Sequence, residues 1–374
     1  MVKTKRIQKW LAVALGLVMT TGVAACGTNV SGQSQAEPAE QKAATSSKED
    51  TKKEEKGEEV LTADNFNIDD VKPFTIRVGV NSGDDNQYLK ILDDHTGFLK
   101  DRGIDLVTTE FAAGINTIDA ITTGQLDVGL FADYAGVNRI GNTLADTELR
   151  AFATIKQTTA YDLWVNPETI KEPKDLEGKI GISQAGVVFE YEYGKLFQTY
   201  DLDKSKIEIV NVQSVQEALS LAATGGADAY WTHQRNAQKF EEVGWEPLVS
   251  IADIDATMYT FLVANDSYLR EHQAEVAKFL AVSEEGFAYI TEHLDEFADW
   301  VEADIGLAKD IVKKGWETES HGYTFKQEAY EDLDKVEKWC AENGNFPKAY
   351  DVADFINTDA LALIHPDLVT WSAK

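Results

Sequence analysis

The sequence predicts an α/β fold of two lobes with mostly parallel sheets, followed by a helical C-terminal segment. Short β-branched runs alternate with amphipathic helical runs from residue 74 to residue 155, and the same alternation restarts at residue 161. Strands that alternate with helices of this length indicate right-handed crossovers and sheets covered on both faces. The body from about Phe66 to Lys374 is long enough for two lobes of ordinary size.

The first lobe begins at FTIRVGV (74–80), whose alternating β-branched residues predict a strand. A helical pattern over 87–99, the strand IDLVTTEF and a helix that ends at Gly124 come next. DVGLF predicts the third strand, DYAGVNRIGN the third helix and LRAFATI the fourth strand.

The second lobe repeats this alternation from residue 161. Its predicted strands are YDLWVN, the end of EPKDLEGKIGIS, KIEIVNV, ADAYW and WEPLVSI. Its predicted helices are GVVFEYEYGKLFQTY, VQEALSLAATG and HQRNAQKFEEVG. TMYTFLVAN predicts one further strand, and from Asp266 the chain is mainly helical, with one long apolar face.

The first 26 residues have the features of an export signal. A basic start precedes an apolar stretch from Leu11 to Met19 that is too short to span a bilayer. Small residues precede Cys26 in VAAC, as in the lipobox of bacterial lipoproteins, so we expect acylated Cys26 to anchor the chain in membrane lipid. An ordinary signal peptide with an incidental cysteine is the alternative.

Residues 27 to 65 lack aromatic side chains and are rich in mixed charges, which predicts a disordered tether. The formal net charge of −29 argues against nucleic acid as a partner. After acylation of Cys26 only Cys340 remains, so no disulfide framework is possible. Cys340 falls on an apolar helical stripe, and we expect a buried, inert thiol.

A Gly-x-x-Asp corner occurs twice, at Gly124–Asp127 and at Gly225–Asp228. Each ends a helix at a glycine and leads into a short strand, which then carries aromatic residues toward the carboxyl edge of a sheet. Because ligand crevices of open parallel sheets lie at that edge, each lobe would present one edge to the other. Simple structural punctuation is the alternative for the corner itself.

Four segments carry a resemblance to a known family: IRVGV, FAAGINTIDAITTGQLDVGL, IKEPKDLEGKIGIS and VQEALSLAATGGADAYW. With DVADFINTDAL and HPDLV near the end, the chain resembles extracytoplasmic solute-binding proteins of ABC importers, in the group associated with aliphatic sulfonates, taurine, nitrate and thiamine-pyrimidine precursors. The resemblance implies a type II periplasmic-binding-protein-like fold, with the C-terminal helices packed on lobe 1. It also implies a monomer that closes around a small solute and offers it to a membrane permease.

Applied to this chain, the resemblance gives a domain division. Lobe 1 would comprise residues 66–157 and 260–374, and lobe 2 residues 158–259. The two crossing segments would lie near Ile155–Tyr161 and Asp255–Phe261.

The predicted ligand-binding residues follow strands or begin helices at the expected inter-lobe edges. They are Asn81, Ser82, Asp84, Asp85, Ala113, Gly114, Asn116, Asp133 and Tyr134 in lobe 1, Gln184, Gly186, Phe189, Glu190, Trp231 and Arg235 in lobe 2, and Tyr259 at the second crossing. Gly114 begins a helix, where free N–H groups can hold an anion, or it merely eases a turn. The carboxylates would pair with an ammonium, an amidine or a ring N–H, or else they are solvated turn residues.

These residue types favour a small organic solute, taurine-like or an amine-bearing heterocycle, over a bare inorganic anion. No metal-ligand spacing, dinucleotide signature or phosphate-binding loop is present in the sequence, so we expect no cofactor and no metal. GISQAG does not fit the Gly-x-Ser-x-Gly elbow of hydrolases. An enzyme similar to thiamine-pyrimidine synthases, or a surface interaction protein, is the alternative to a binding protein.

Overall fold

A computed structural model describes residues 60–144, 147–318 and 321–373. The predicted signal peptide, Cys26 and residues 27–59 of the predicted tether lie outside these ranges. No helix within them is both long and apolar enough to cross a membrane.

The secondary structure of the described residues follows the predicted alternation closely. The strands are β1 (Phe74–Asn81), β2 (Ile104–Phe111), β3 (Gly129–Ala132), β4 (Leu149–Thr158), β5 (Tyr161–Val165), β6 (Ile180–Ser183), β7 (Glu208–Asn211), β8 (Ala229–His233), β9 (Glu246–Ser250) and β10 (Met258–Asn265). The helices are α1 (Tyr88–Thr96), α2 (Gly114–Thr122), α3 (Asp133–Thr143), α4 (Phe189–Thr199), α5 (Val215–Thr224), α6 (Ala237–Glu242), α7 (Asp266–Glu271), α8 (Gln273–Glu292), α9 (Leu294–Ile305), α10 (Lys309–Thr318), α11 (Gln327–Asn343) and α12 (Asp359–Ile364).

Lobe 1 is built on the strand order β2-β1-β3-β10-β4. β1 and β2 pair in parallel over their full lengths. An isolated parallel bridge between Val78 and Val128 joins β1 to the entry of β3. β10 lies between β3 and β4 and runs antiparallel to both.

Lobe 2 has a five-stranded sheet in the order β7-β6-β8-β5-β9. β6 pairs in parallel with β7 and β8, whereas β5 lies between β8 and β9 and is antiparallel to both. The same order, second-first-third-crossing-fourth, therefore occurs in both lobes.

The two-lobed periplasmic-binding-protein-like fold class is confirmed, and the strand pairing is more mixed than the sequence suggested. β5 and β10 each arrive from the other lobe, after β4 and β9 respectively. A strand that enters its sheet from the other lobe runs antiparallel to its neighbours. The alternation of strands and helices could not show this reversal, because the entering strand has the same composition as the others.

The two Gly-x-x-Asp corners have the same structure. Gly124 and Gly225 have φ near +70° (71° and 68°), a backbone conformation in which glycine carries no steric cost. Asp127 then makes two hydrogen bonds to the backbone of β1: its N–H donates to the Arg77 carbonyl (2.9 Å) and its side-chain Oδ2 accepts the Arg77 N–H (2.8 Å).

Asp228 repeats this arrangement on β6. Its N–H donates to the Ile180 carbonyl (2.8 Å), and its Oδ2 accepts the Ile180 N–H (3.1 Å). Each corner thus fixes the third strand of its lobe to the first, at the edge opposite to the carboxyl ends. The corners are structural turns between a helix and a strand. The chain contains two of them because both lobes have the same strand order.

The C-terminal helices complete lobe 1, as expected. α8 packs against α1 and α12, while α11 packs against α3. α11 also reaches lobe 2, because the Trp339 indole N–H donates to Gln198 Oε1 on α4 (3.1 Å). A Cβ added at Gly194 would lie 2.1 Å from Trp339 Cζ2, so α4 needs a glycine there to admit the indole.

Candidate functional site

An ion pair joins the two lobes at the carboxyl edges of their sheets. Asp84 lies in the turn after β1, and Arg235 follows β8 in lobe 2. Arg235 Nη1 donates to Asp84 Oδ1 at 2.6 Å, with about a fifth of each side chain exposed (22% and 23%). Burial and the neighbouring carboxylate of Asp85 raise the pKa of Asp84, while Arg235 opposes the rise.

A second cation lies beside the first. Lys156, near the end of β4, places its Nζ 2.8 Å from Asp85 Oδ2. Adjacent carboxylates at positions 84 and 85 therefore each hold a cation, one from lobe 2 and one from lobe 1. Charged hydrogen bonds of this kind are stronger than neutral ones.

His233 provides an uncharged hydrogen-bond donor beside Arg235. Its Nδ1 accepts the Arg235 backbone N–H (3.0 Å), so the ring proton resides on Nε2. Nε2 is buried and has no hydrogen-bond partner among the described residues. Burial, Arg235 and Lys156 lower the pKa of His233 to about 3, which keeps the ring uncharged at neutral pH.

Tyr161, the first residue of β5, is the last member of this group and packs against His233. Its ring meets His233 edge to face at 5.0 Å and lies 6.2 Å from Phe189 at the start of α4. Burial raises the pKa of Tyr161 to about 12. We refer to Asp84, Asp85, Lys156, Tyr161, His233 and Arg235 as the inter-lobe cluster.

A second contact between the lobes involves Tyr134 and Glu190. The buried Tyr134 hydroxyl, on α3, donates to Glu190 Oε2 on α4 at 2.5 Å. It also accepts from Asn345 Nδ2 (2.9 Å), while Glu190 Oε1 accepts the Gly186 N–H (3.1 Å). This network connects the beginnings of two helices that face each other from different lobes.

Asp133 is fully buried and braces the second crossing segment. Its Oδ1 accepts the Tyr134 N–H (2.6 Å) and its Oδ2 accepts the Tyr259 N–H on β10 (2.7 Å). Burial raises the pKa of Asp133 to about 6, although these N–H groups and Asp332 oppose the rise. Asp133 and Tyr259 thus contact each other through a carboxylate and a backbone amide.

Several buried polar atoms of lobe 2 have no hydrogen-bond partner in the described part of the chain. They include Ser183 Oγ, Tyr230 OH, Trp231 Nε1 and both carboxyl oxygens of Glu192. Burial raises the pKa of Glu192 well above its usual range, which favours the protonated, uncharged form. These groups belong to β6, β8 and α4.

The other predicted site residues have varied surroundings. Trp231 is fully buried, with its ring 6.2 Å from Tyr193. Phe189 is 7% exposed and packs 5.5 Å from the Tyr230 ring. A Cβ on Gly114 would lie 2.8 Å from Leu130 Cδ1, so close packing accounts for this glycine.

Polar residues at the lobe 1 edge make mainly local bonds. The Asn81 N–H donates to Asn86 Oδ1 (2.7 Å), and the exposed Ser82 hydroxyl donates to Glu110 (3.0 Å). Ala113 immediately precedes α2 and makes no side-chain cap bond, Asn116 is exposed, and in lobe 2 Gln184 is half-buried.

The structure therefore brings Asp84, Asp85 and Arg235 into one group and Tyr134, Gly186 and Glu190 into another. Sequence reasoning missed Lys156, although a lysine inside the predicted crossing Ile155–Tyr161 was a usable signal. A groove of about 590 Å³, lined in part by Phe66, Glu284 and His365, contains no member of the inter-lobe cluster.

Comparison with known proteins places the chain in a family. A family model described as NMT1/THI5 like matches residues 89–297, which is more than half of the chain. The chain belongs to the NMT1/THI5-like family. The match includes Lys156, Tyr161, His233 and Arg235, and it begins just after the carboxylates at 84 and 85. No curated protein matches the chain.

Solved structures share the fold of this NMT1/THI5-like chain. The alkanesulfonate-binding protein SsuA from Xanthomonas axonopodis pv. citri, bound to MOPS, matches with a TM-score of 0.65 and 15% identity, over 77% of this chain and 99% of that chain. The periplasmic aliphatic sulphonate binding protein SsuA from Escherichia coli has a TM-score of 0.65 and 18% identity, over 81% and 95%. The desulfurization enzyme DSZB has a TM-score of 0.56 and 12% identity, over 78% and 99%.

Proposed function

We propose that this protein captures a small organic solute between its lobes and delivers it to the membrane permease of an ABC importer. The observation that carries the proposal is the Asp84–Arg235 pair, because it places opposite charges from the two lobes in direct contact. A solute that exchanges with these groups touches both lobes at once. It can therefore favour the closed form over the open one, as hinge closure requires.

The chemistry of the inter-lobe cluster suits a solute with charged or hydrogen-bonding ends. Lys156, Arg235 and the His233 Nε2–H can hold a sulfonate or carboxylate, and Asp84 and Asp85 can hold an ammonium or an amidine. Tyr161 and Phe189 offer flat apolar surface. A taurine-like or sulfonate-like compound, or an amine-bearing heterocycle, fits this set.

The proposal includes a location outside the cytoplasm. Export by residues 1–26, acylation of Cys26 and a tether over 27–65 would place the body near its permease on the outer face of the membrane. The body would divide into lobe 1 (66–157 and 260–374) and lobe 2 (158–259), acting as a monomer. Palmitate labelling of wild-type chain but not of Cys26→Ala tests the anchor.

An enzyme is the second candidate, because the desulfurization enzyme DSZB shares the fold. Within the described residues no group of three His, Cys, Asp or Glu side chains is arranged to hold a metal. Burial raises the pKa of Cys340 to about 12, so this thiol is a poor nucleophile. A reaction with Cys340 as the nucleophile is therefore disfavoured.

A ligand panel distinguishes the candidates. Thermal shift with taurine, alkanesulfonates, nitrate, pyrimidines and simple amines should identify a compound that stabilises the protein by about 2.7 kcal/mol at a hundredfold excess over its Kd, without being consumed. An enzyme would consume the compound, and a surface interaction protein would respond to none.

A matched pair of variants connects the response to the site. Arg235→Ala should abolish the shift, whereas Arg270→Ala, at a residue with 72% exposure paired to Asp266, should retain it. If both variants respond as wild type does, the ligand binds elsewhere.

A further inference from the structure

The opposite charges of the inter-lobe cluster balance each other. Two carboxylates and two cations lie together, with Asp84–Arg235 at 2.6 Å and Asp85–Lys156 at 2.8 Å. His233 adds no charge, because its pKa lies at about 3. Any charged ligand that enters must exchange with a pair that already exists.

A simple anion faces a particular cost in this arrangement. When it binds Arg235 or Lys156, it must displace the carboxylate of Asp84 or Asp85. These carboxylates are adjacent in the chain and largely buried, with side-chain exposures of 23% and 30%. Without their cations, the two like charges face each other in a poorly solvated place.

Asp84 cannot swing away easily from this position. Its Oδ1 also accepts the Asp85 N–H (2.8 Å), which caps the short helical turn 85–87. Burial and Asp85 raise the pKa of Asp84 and Arg235 lowers it, so its ionised form depends on a nearby cation. The carboxylate is a fixed part of the site rather than a mobile surface group.

A zwitterion meets no such cost. Its anionic end takes Arg235, Lys156 and the His233 Nε2–H, and its cationic end takes the carboxylates that these cations release. All four charges then keep a partner. This exchange distinguishes zwitterions from anions of the same size and shape.

We propose that Asp84 is an internal competitor for the anion position on Arg235 and that it makes the site select zwitterionic solutes over simple anions. This inference depends on the proposed function, since it assumes that a solute enters the inter-lobe cluster. It assigns Asp84 a selective role that is separate from its contribution to affinity. Specificity of this kind arises from an unfavourable element directed against the wrong ligand.

Two isosteric pairs of probes test the assignment: taurine with propane-1-sulfonate, and β-alanine with butyrate. In each pair only the first compound carries an ammonium group. Isothermal titration of the wild-type protein should show about a tenfold to hundredfold preference for the zwitterion in at least one pair, the range expected for one charged hydrogen bond.

The variant Asp84→Asn removes the charge and keeps the shape. It should reverse the preference: binding of the zwitterion weakens about tenfold or more, while the simple anion binds at least severalfold more tightly because it has no competitor. Asp94→Asn is the matched control, since Asp94 is exposed (57%) and paired only to Lys90 on its own helix. The control should bind as wild type does.

Three results would overturn the inference. The wild type binds the members of each pair equally or prefers the simple anion; Asp84→Asn leaves the preference unchanged; or the wild type binds none of the four compounds. In the last case, a shift with any other compound of the ligand panel leaves the proposed capture of a solute in place, so the two failures are distinguishable. A circular dichroism spectrum of each variant shows that the fold is retained.

Discussion

Replacing Asp332 by Asn should make the protein more stable at pH 8 and leave its stability at pH 4 nearly unchanged. Asp332 lies on α11 and is 4% exposed, and its carboxyl group is next to that of Asp133. Burial and Asp133 raise the pKa of Asp332 well above its usual range, although Lys335 Nζ, 3.3 Å from Asp332 Oδ1, opposes the rise. Asp133 accepts two backbone N–H bonds, which favour its ionised form, so Asp332 is the member of the pair that keeps a proton.

The wild-type protein loses stability as pH rises, in part because the pKa of Asp133 rises from 3.8 to about 6 on folding. A carboxyl whose pKa is raised stabilises the folded state at low pH and loses this contribution as pH rises. Between pH 4 and pH 7 the loss is about 2.4 kcal/mol, out of about 3 kcal/mol for the whole titration at 1.36 kcal/mol for each unit. Asp332, whose pKa is also raised, adds to the loss at higher pH.

In Asp332→Asn the side chain at position 332 cannot ionise. Its amide N–H can donate to the Asp133 carboxylate. The loss due to Asp133 is common to both proteins, whereas the loss due to Asp332 is absent from the variant. We therefore expect the free energy of unfolding of the variant to exceed that of the wild type by about 1.5 to 3 kcal/mol at pH 8 and to match it at pH 4. Urea unfolding at pH 4, 6 and 8 measures this, with Asp334→Asn, a neighbour on the same helix that pairs with Lys338, as control. Parallel stability curves for wild type and Asp332→Asn would refute the reasoning.

Three further changes test the packing around the site. Trp231→Ala should lower the free energy of unfolding by about 3 to 5 kcal/mol, because the side chain is fully buried; a loss below 1 kcal/mol in urea unfolding would contradict this. Tyr134→Phe removes the inter-lobe bond to Glu190 and should cost about 1.5 to 3 kcal/mol and increase the radius of gyration in solution scattering, whereas an unchanged radius would show that this bond does not hold the lobes together. Gly114→Ala forces a Cβ to 2.8 Å from Leu130 and should cost about 1 to 3 kcal/mol by thermal melting, and a rise in Tm would exclude the contact.

Sequence periodicity predicted the strands well because most of them are short apolar runs between turn residues. β2 and the first residues of β1, β4 and β5 coincide with the prediction. The reversal of β5 and β10 was not predictable in this way, since pairing direction depends on the path between lobes. The repeated corner could be found in the sequence, but its hydrogen bonds to β1 and β6 lie 50 and 48 residues away along the chain.

The candidate site was predictable where a turn follows a strand, and less so elsewhere. Asp84, Asp85 and Arg235 occupy such turns and do converge. The depth of Trp231 could not be predicted, because a strand covered on both faces shows no alternation that would separate a cleft residue from a core residue. The bond from Asp133 to Tyr259 spans 126 residues and depends on the second crossing.

The two lobes share a scaffold and differ in what their loops carry, and this difference is connected to the crossings. Lobe 1 supplies the carboxylates at 84 and 85, and lobe 2 supplies Arg235 and His233. Tyr134 of helix α3 makes the inter-lobe bond to Glu190, and Asp133 of the same helix bonds to the crossing strand β10. One helix therefore contacts both the other lobe and the crossing strand. Asp255, in a left-handed conformation (φ 52°) at this crossing, lies 3.7 Å from Lys195 on α4 and 3.6 Å from Lys335 on α11. Since α4 also carries Glu190, the proposed movement of lobe 2 would shift the charges around Asp255 together with the Tyr134 bond.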